Sequence, residues 1–332
     1  MDIRNTRAMK HFAAERLAGA PMEKKIVLIY SALTLGTALL GVALQYALGL
    51  QIDQMGGLSQ IGTRTILSTI QSMLPLVQSV VAMCLEIGYV AAMLRIARGQ
   101  YSLPNTLRLG FARFWALMRC TVIQGLVYAG LLIAAVYLAS MIFVSSPWGE
   151  PFQAVLDTLT GGTSLMNPQV ALDDAAITQL LPTMVPMVIL TVILTCLFVI
   201  PVSYRFRMAN YVIIDKPAVG AMAALRESRK MMRGKCLKLL KLDLSYWWYA
   251  LLTAVAACVG NLDRWLLAAG ITLPVSEEVA YFGFYAVYLA LLLALYYFLR
   301  NRVEVTYSLF YDGVKPEEKQ DNAVVLGNIF QM

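Results

Sequence analysis

The chain holds 332 residues, 59% of them hydrophobic and 14% charged, with a mean hydropathy of +0.65. Soluble domains carry about a quarter charged residues, so this composition excludes an ordinary soluble domain and points to a polytopic membrane protein. The net charge of +7 does not signal a nucleic-acid partner, because the cations sit in short loops between apolar runs.

The first 25 residues are polar and amphipathic, with no apolar signal core, so no cleaved signal peptide is expected. Six runs then reach the length of about 20 apolar residues that a membrane helix needs. They fall near 26–50, 66–94, 115–145, 179–204, 243–261 and 278–299. The expected layout is a cytoplasmic N-terminus at 1–25, a membrane domain at 26–311 and a cytoplasmic tail at 312–332. Pro75, Pro182, Pro186 and Pro201 lie inside or at the start of spans, where proline kinks a helix and frees carbonyls.

Lysine and arginine set the orientation. The N-terminal segment, the 95–119 and 205–241 connections and the tail together hold 25, whereas the alternate segments hold only Arg64 and Arg264. By the positive-inside rule both termini face the cytoplasm, and a plasma membrane is expected. The largest outer loop, 146–178, has no Lys or Arg, reads as a turn-rich connector and is expected to hold one interfacial helix around 151–160. With the topology drawn, a repeat emerges. Each even span runs into a tyrosine-containing tail and then Pro104, Pro217 or Pro316. Each odd span follows an amphipathic basic stretch around Gly19, Gly110 or Gly234. The expected fold is all-α: six transmembrane helices as three hairpin-like parallel repeats, with amphipathic helices on the cytoplasmic face.

The most basic stretch runs from Asp215 to Tyr249. At 100° per residue, Arg226, Arg229, Lys230 and Arg233 fall on one side of a helix. Ala221, Ala224, Leu225, Ser228, Met231 and Met232 fall on the other. Such a helix is expected to lie on the membrane, its apolar side toward the acyl chains and its cations toward anionic headgroups. Lys235, Lys238 and Lys241, followed by Tyr246, Trp247, Trp248 and Tyr249, then lead into the fifth span as snorkelling cations and an interfacial aromatic cluster.

Residues 204–251, YRFRMANYVIIDKPAVGAMAALRESRKMMRGKCLKLLKLDLSYWWYALL, carry a resemblance. Asp215 with Pro217, Ala224–Ser228 before Met232, Gly234 with Lys235, and Leu242, Leu244 and Ser245 resemble a bacterial membrane-protein family, domain of unknown function number nine hundred and seventy-five. Where that family more often reads Leu-Ser-Phe-Ile-Gly-Trp, this chain has Tyr246, Trp247 and Trp248 in place of Phe, Ile and Gly. The family is also similar to the membrane domain fused to some glycerophosphodiester phosphodiesterases. The resemblance implies a bacterial origin, a six-span layout and lipid-associated scaffolding, and it supplies no activity.

Among single residues Glu86 stands out. It lies nine residues before Arg95 in span two, about 13 Å below the inner charged rim. An ionisable side chain at that depth is a functional candidate, as proton relay, cation ligand or partner to an arginine such as Arg205; the alternative is a packed structural glutamate near Gly88. Arg205 and Arg207 would serve as an anion pocket or as rim anchors. Asp243 would pair with Lys238 or Lys241 or act as a helix charge, and Asp215 is expected to cap the surface helix. His11 is the only histidine, so a zinc hydrolase lacks its ligands, and no P-loop is present. Neither a Ser–Lys nor a carboxylate dyad has a recognisable spacing. The expected function is a non-enzymatic, cofactor-free membrane scaffold that binds lipid or a partner. Anionic lipid would be contacted by Arg226, Arg229, Lys230, Arg233, Lys235 and Lys238. The alternative is a small-solute or ion transporter using Glu86.

Overall fold

The computed structural model describes residues 5–20, 22–55, 61–100, 108–160, 174–216, 218–271 and 275–315, and among them every regular element is helical. In chain order these are α1 (Thr6–Ala18), α2 (Glu23–Gln54), α3 (Ile61–Ala97), α4 (Leu109–Ala112), α5 (Phe114–Val144), α6 (Gly149–Thr160), α7 (Asp174–Phe206) and α8 (Ala209–Asp215). There follow α9 (Ala221–Met231), α10 (Cys236–Leu244), α11 (Trp247–Val259), α12 (Leu262–Ala268), α13 (Glu277–Leu295), a π turn (Tyr296–Arg300) and α14 (Asn301–Val314). Glu23–Gln54, Ile61–Ala97, Phe114–Val144, Pro182–Asp215 and Val279–Val314 are each long and apolar enough to cross a membrane. The pair α10 and α11 makes a sixth candidate only as one span bent by 59°.

The span expected near 243–261 falls on this bent pair. The 13 residues of α11 rise about 20 Å, short of a hydrocarbon core of about 30 Å. The break falls at Ser245–Tyr246, where the Ser245 hydroxyl turns back to donate to the Leu242 carbonyl at 2.6 Å. A break frees backbone acceptors; one of them is met by a side chain from a distant element, and other distant side chains hold the side chains around it. Lys10 Nζ of α1 donates to the Ser245 carbonyl at 2.7 Å and sits 4.0 Å from the centre of the Tyr246 ring. From α14, Tyr307 donates to Asp243, and Thr306 shares a 2.9 Å hydrogen bond with the Tyr246 hydroxyl.

The chain divides into two compact units, Met1–Leu117 with Met208–Met332, and Met118–Arg207. In the second, α6 packs against α7, and Phe143 meets Phe152 edge to face at 5.6 Å. The expected helix around 151–160 is α6, while residues 161–173 of the outer loop lie outside the described residues. The first unit is built on α2, α3 and α14, with α1 laid across them. Met9, Ala13 and Leu17 recur every fourth residue on α1 and are buried. Leu17, Val27, Tyr30, Tyr89, Met93, Ile96, Val305 and Leu309 belong to one core. The N-terminal segment is therefore an integral part of that core, and its start is fixed by Asn5, whose side chain accepts from Ala8 N at 3.1 Å.

In chain order α1, α4 and α9 precede α2, α5 and the α10–α11 pair, and the three glycines of the expected repeat take different places. Gly19 has φ −79°, Gly110 lies within α4, and Gly234 turns the chain between α9 and α10 with φ +73°. Pro104, Pro217 and Pro316 lie outside the described residues.

Candidate functional site

The first unit brings chemistry-bearing side chains together in three places. The first is centred on Glu86 in α3. Its Oε1 accepts from Arg300 Nη2 at 2.6 Å, and its Oε2 accepts from the Tyr30 hydroxyl at 3.0 Å. The guanidinium of Arg300 also lies 4.4, 4.9 and 5.3 Å from the ring centres of Tyr296, Tyr30 and Tyr89. Tyr30 and Tyr89 stack at 4.4 Å. The result is a cation seated among three electron-rich ring systems and neutralised by one carboxylate. The π turn makes this possible, since a wider turn inserted between α13 and α14 changes the side-chain direction at Arg300. Arg300 is 9% exposed, whereas the Glu86 side chain remains 43% exposed, so the carboxylate borders the packed interior rather than lying sealed in it.

An arginine partner for Glu86, such as Arg205, is one of three roles the sequence leaves open; the structure pairs Glu86 with Arg300, which the sequence counts among the tail cations, while Arg205 sits in the last turn of α7 in the second unit. The unbroken helix from Val279 to Val314 is what sets Arg300 beside Glu86; the polar residues that follow Arg300 make it read as a rim charge in the sequence.

The second place is a charged clasp at the ends of three helices. Arg98, just past α3, bonds Asp215 at 2.7 Å and Asp312 at 2.6 Å. Asp215 also accepts from Lys315 at 2.8 Å and from the Tyr311 hydroxyl at 3.1 Å. Burial alone would push the Arg98 guanidinium down, but its hydrogen bonds to Asp312 and Asp215 and their charges hold it above its ordinary pKa. Asp215 is thus a tie between the ends of α3, α8 and α14, and not the expected cap. The N-cap of α9 is Gly220, which makes no side-chain cap bond.

The third place is the basic stretch. Ala221, Ala224, Leu225, Ser228, Met231 and Met232 are all buried, as the periodicity predicts, and α8 packs against α9. Their burial corrects one expectation: the apolar side of α9 is covered by protein and is not free to enter acyl chains. Arg226, Arg229, Lys230 and Arg233 are exposed on the opposite side, with Met222 62% exposed among them. Lys235 is half-buried and donates to the Val314 carbonyl at 3.1 Å, tying the end of α14, and Lys238 is half-buried.

What sequence reasoning missed lies on α10. Leu237, Leu240, Leu244 and Trp247 recur at helical spacing and are 73, 36, 62 and 61% exposed, with Lys241 exposed beside them. Trp247 stands just beyond the break, at the first residue of α11. This is an apolar stripe with cations at its flank, on a helix bent 59° away from the segment that follows.

With the geometry in view, residues 37–318 match the family described as Protein of unknown function (DUF975). No curated protein and no solved structure matches the chain. The match spans most of the sequence, and the chain belongs to that family.

Proposed function

We propose that this DUF975 member is a non-enzymatic multi-pass membrane protein that binds anionic lipid at the cytoplasmic headgroup layer of the plasma membrane. The observation that carries the reading is the exposed stripe of Leu237, Leu240, Leu244 and Trp247 beside Lys241. A bent helix with an apolar stripe and flanking lysines is suited to lie in the interface, its leucines toward the acyl boundary and its ammonium groups among headgroups. The cations of α9 extend the same basic surface. Each cation near an anionic surface contributes about 1 kcal/mol, so Arg226, Arg229, Lys230 and Arg233 supply a substantial electrostatic term without inserting anything. Glu86 supports this reading over transport, because its charge is already met by Arg300 and Tyr30.

The test is lipid retention. Protein released from nanodiscs of mixed phosphatidylglycerol and phosphatidylcholine is weighed by native mass spectrometry. Wild type is expected to keep phosphatidylglycerol preferentially. The variant carrying Gln at Arg226, Arg229, Lys230 and Arg233 is expected to lose that preference at unchanged thermal stability. Equal retention by the two proteins would contradict lipid binding by this face.

A further inference from the structure

Between α1, the first turn of α2, the π turn and the start of α14 lies a cavity of about 470 Å³. Its polar lining is Glu23, Lys24, Asn301 and Arg302, and Phe298 stands at its edge, 65% exposed. Two features separate it from an ordinary surface groove. Glu23 is only 8% exposed and Asn301 only 5%, yet both line the cavity. And Glu23 forms no ion pair within contact distance of the described residues, although Lys24 and Arg302 line the same space and are exposed. Glu23 is thus largely covered by protein and unpaired among the described residues, and its carboxylate opens into a cavity large enough to bring it a cation.

The geometry points to a binding site for a zwitterionic headgroup, a primary ammonium joined to a phosphodiester, as carried by an aminophospholipid such as phosphatidylethanolamine. The ammonium meets Glu23, donating hydrogen bonds that a quaternary ammonium cannot supply. The phosphodiester meets Lys24 and Arg302, where the guanidinium offers two parallel donors to phosphate oxygens. Phe298, exposed beside the cavity on a segment apolar enough to cross a membrane, gives the glycerol and acyl part an apolar surface to lie along. That contact is the reason to favour a lipid over a free headgroup. The site is separate from the basic face of α9: it reads the ammonium, which anionic lipids lack, so variants of α9 leave it unmoved.

The experiment measures headgroup preference on the full-length protein in nanodiscs containing phosphatidylethanolamine, phosphatidylcholine or phosphatidylglycerol, by native mass spectrometry. Wild type is expected to retain phosphatidylethanolamine over phosphatidylcholine by about tenfold, the worth of one charge-assisted hydrogen bond. Glu23→Gln is expected to abolish that preference, and Arg302→Gln to weaken retention of both lipids alike. Should Glu23→Gln fail to fold, the wild-type comparison of the two headgroups still decides. Equal retention by wild type, or a preference untouched by Glu23→Gln in a folded protein, would overturn the site. Displacement by soluble glycerophosphoethanolamine at the concentration that suits the lipid would overturn the assignment to a lipid.

Discussion

Arg300 is held by one carboxylate and three tyrosine rings at the junction of α13 and α14, and its energetics belong to that group as a whole. Glu86→Gln leaves a buried guanidinium without its counter-charge. Breaking such a pair costs about 3–5 kcal/mol, and the exposed half of Glu86 places this case toward the low end. Arg300→Gln leaves Glu86 with the Tyr30 hydroxyl and access to the surroundings. The two changes therefore do not add. A thermal-unfolding cycle in detergent is expected to show the double variant less destabilised than the sum of the singles, by about 0.5–3 kcal/mol. Additive losses would mean that the two side chains are held independently. This pair was only half legible in the sequence: an acid deep in an apolar run stands out, but Arg300 at the end of such a run reads as a rim charge. No periodicity announces a π turn.

At the level of helices, the unit around α3 depends on one close approach. A Cβ on Gly110 of α4 would fall on the carbonyl carbon and oxygen of Cys84 in α3, backbone atoms that cannot rotate aside. Gly110→Ala is expected to destabilise by about 1–3 kcal/mol, as overpacking does, and the unfolding temperature reads it directly. Gly125 of α5 has open space where a Cβ would stand, so Gly125→Ala is the matched control and should be neutral or slightly stabilising. Equal behaviour of the two variants would remove the α3–α4 contact as a constraint. The buried side of α9 was legible residue by residue, because a 3.6-residue period marks an apolar face. It does not say whether protein or acyl chain covers that face, since both are apolar. α10 was hidden for a related reason. Its leucines run on into the apolar residues of α11, and the break between the two is held by the local Ser245 bond together with bonds from Lys10, Thr306 and Tyr307, contributed from distant parts of the chain.

Across the whole molecule, the first unit gathers its polar chemistry in separate places: the Glu86–Arg300 pair, the Arg98–Asp215–Asp312 clasp at the helix ends, and the exposed cations of α9. The distribution of Lys and Arg already implied which ends carry charge, because crossing hydrocarbon with cations is costly. Which charges are spent inside the fold was not implied: Lys10, Arg98, Lys235, Arg300 and Lys315 all bond within the protein. The α9 face and the α10 stripe stay exposed, and the proposed anionic-lipid contact rests on them. The most direct measurement is therefore photocrosslinking from a photoreactive phenylalanine placed at Leu237, the most exposed residue of that stripe, with the protein in a bilayer of phosphatidylethanolamine and phosphatidylglycerol. The expected result is a covalent lipid adduct at 237, resolved by mass spectrometry. Adducts to protein alone, or none, would place α10 away from the membrane and contradict the lipid-binding account.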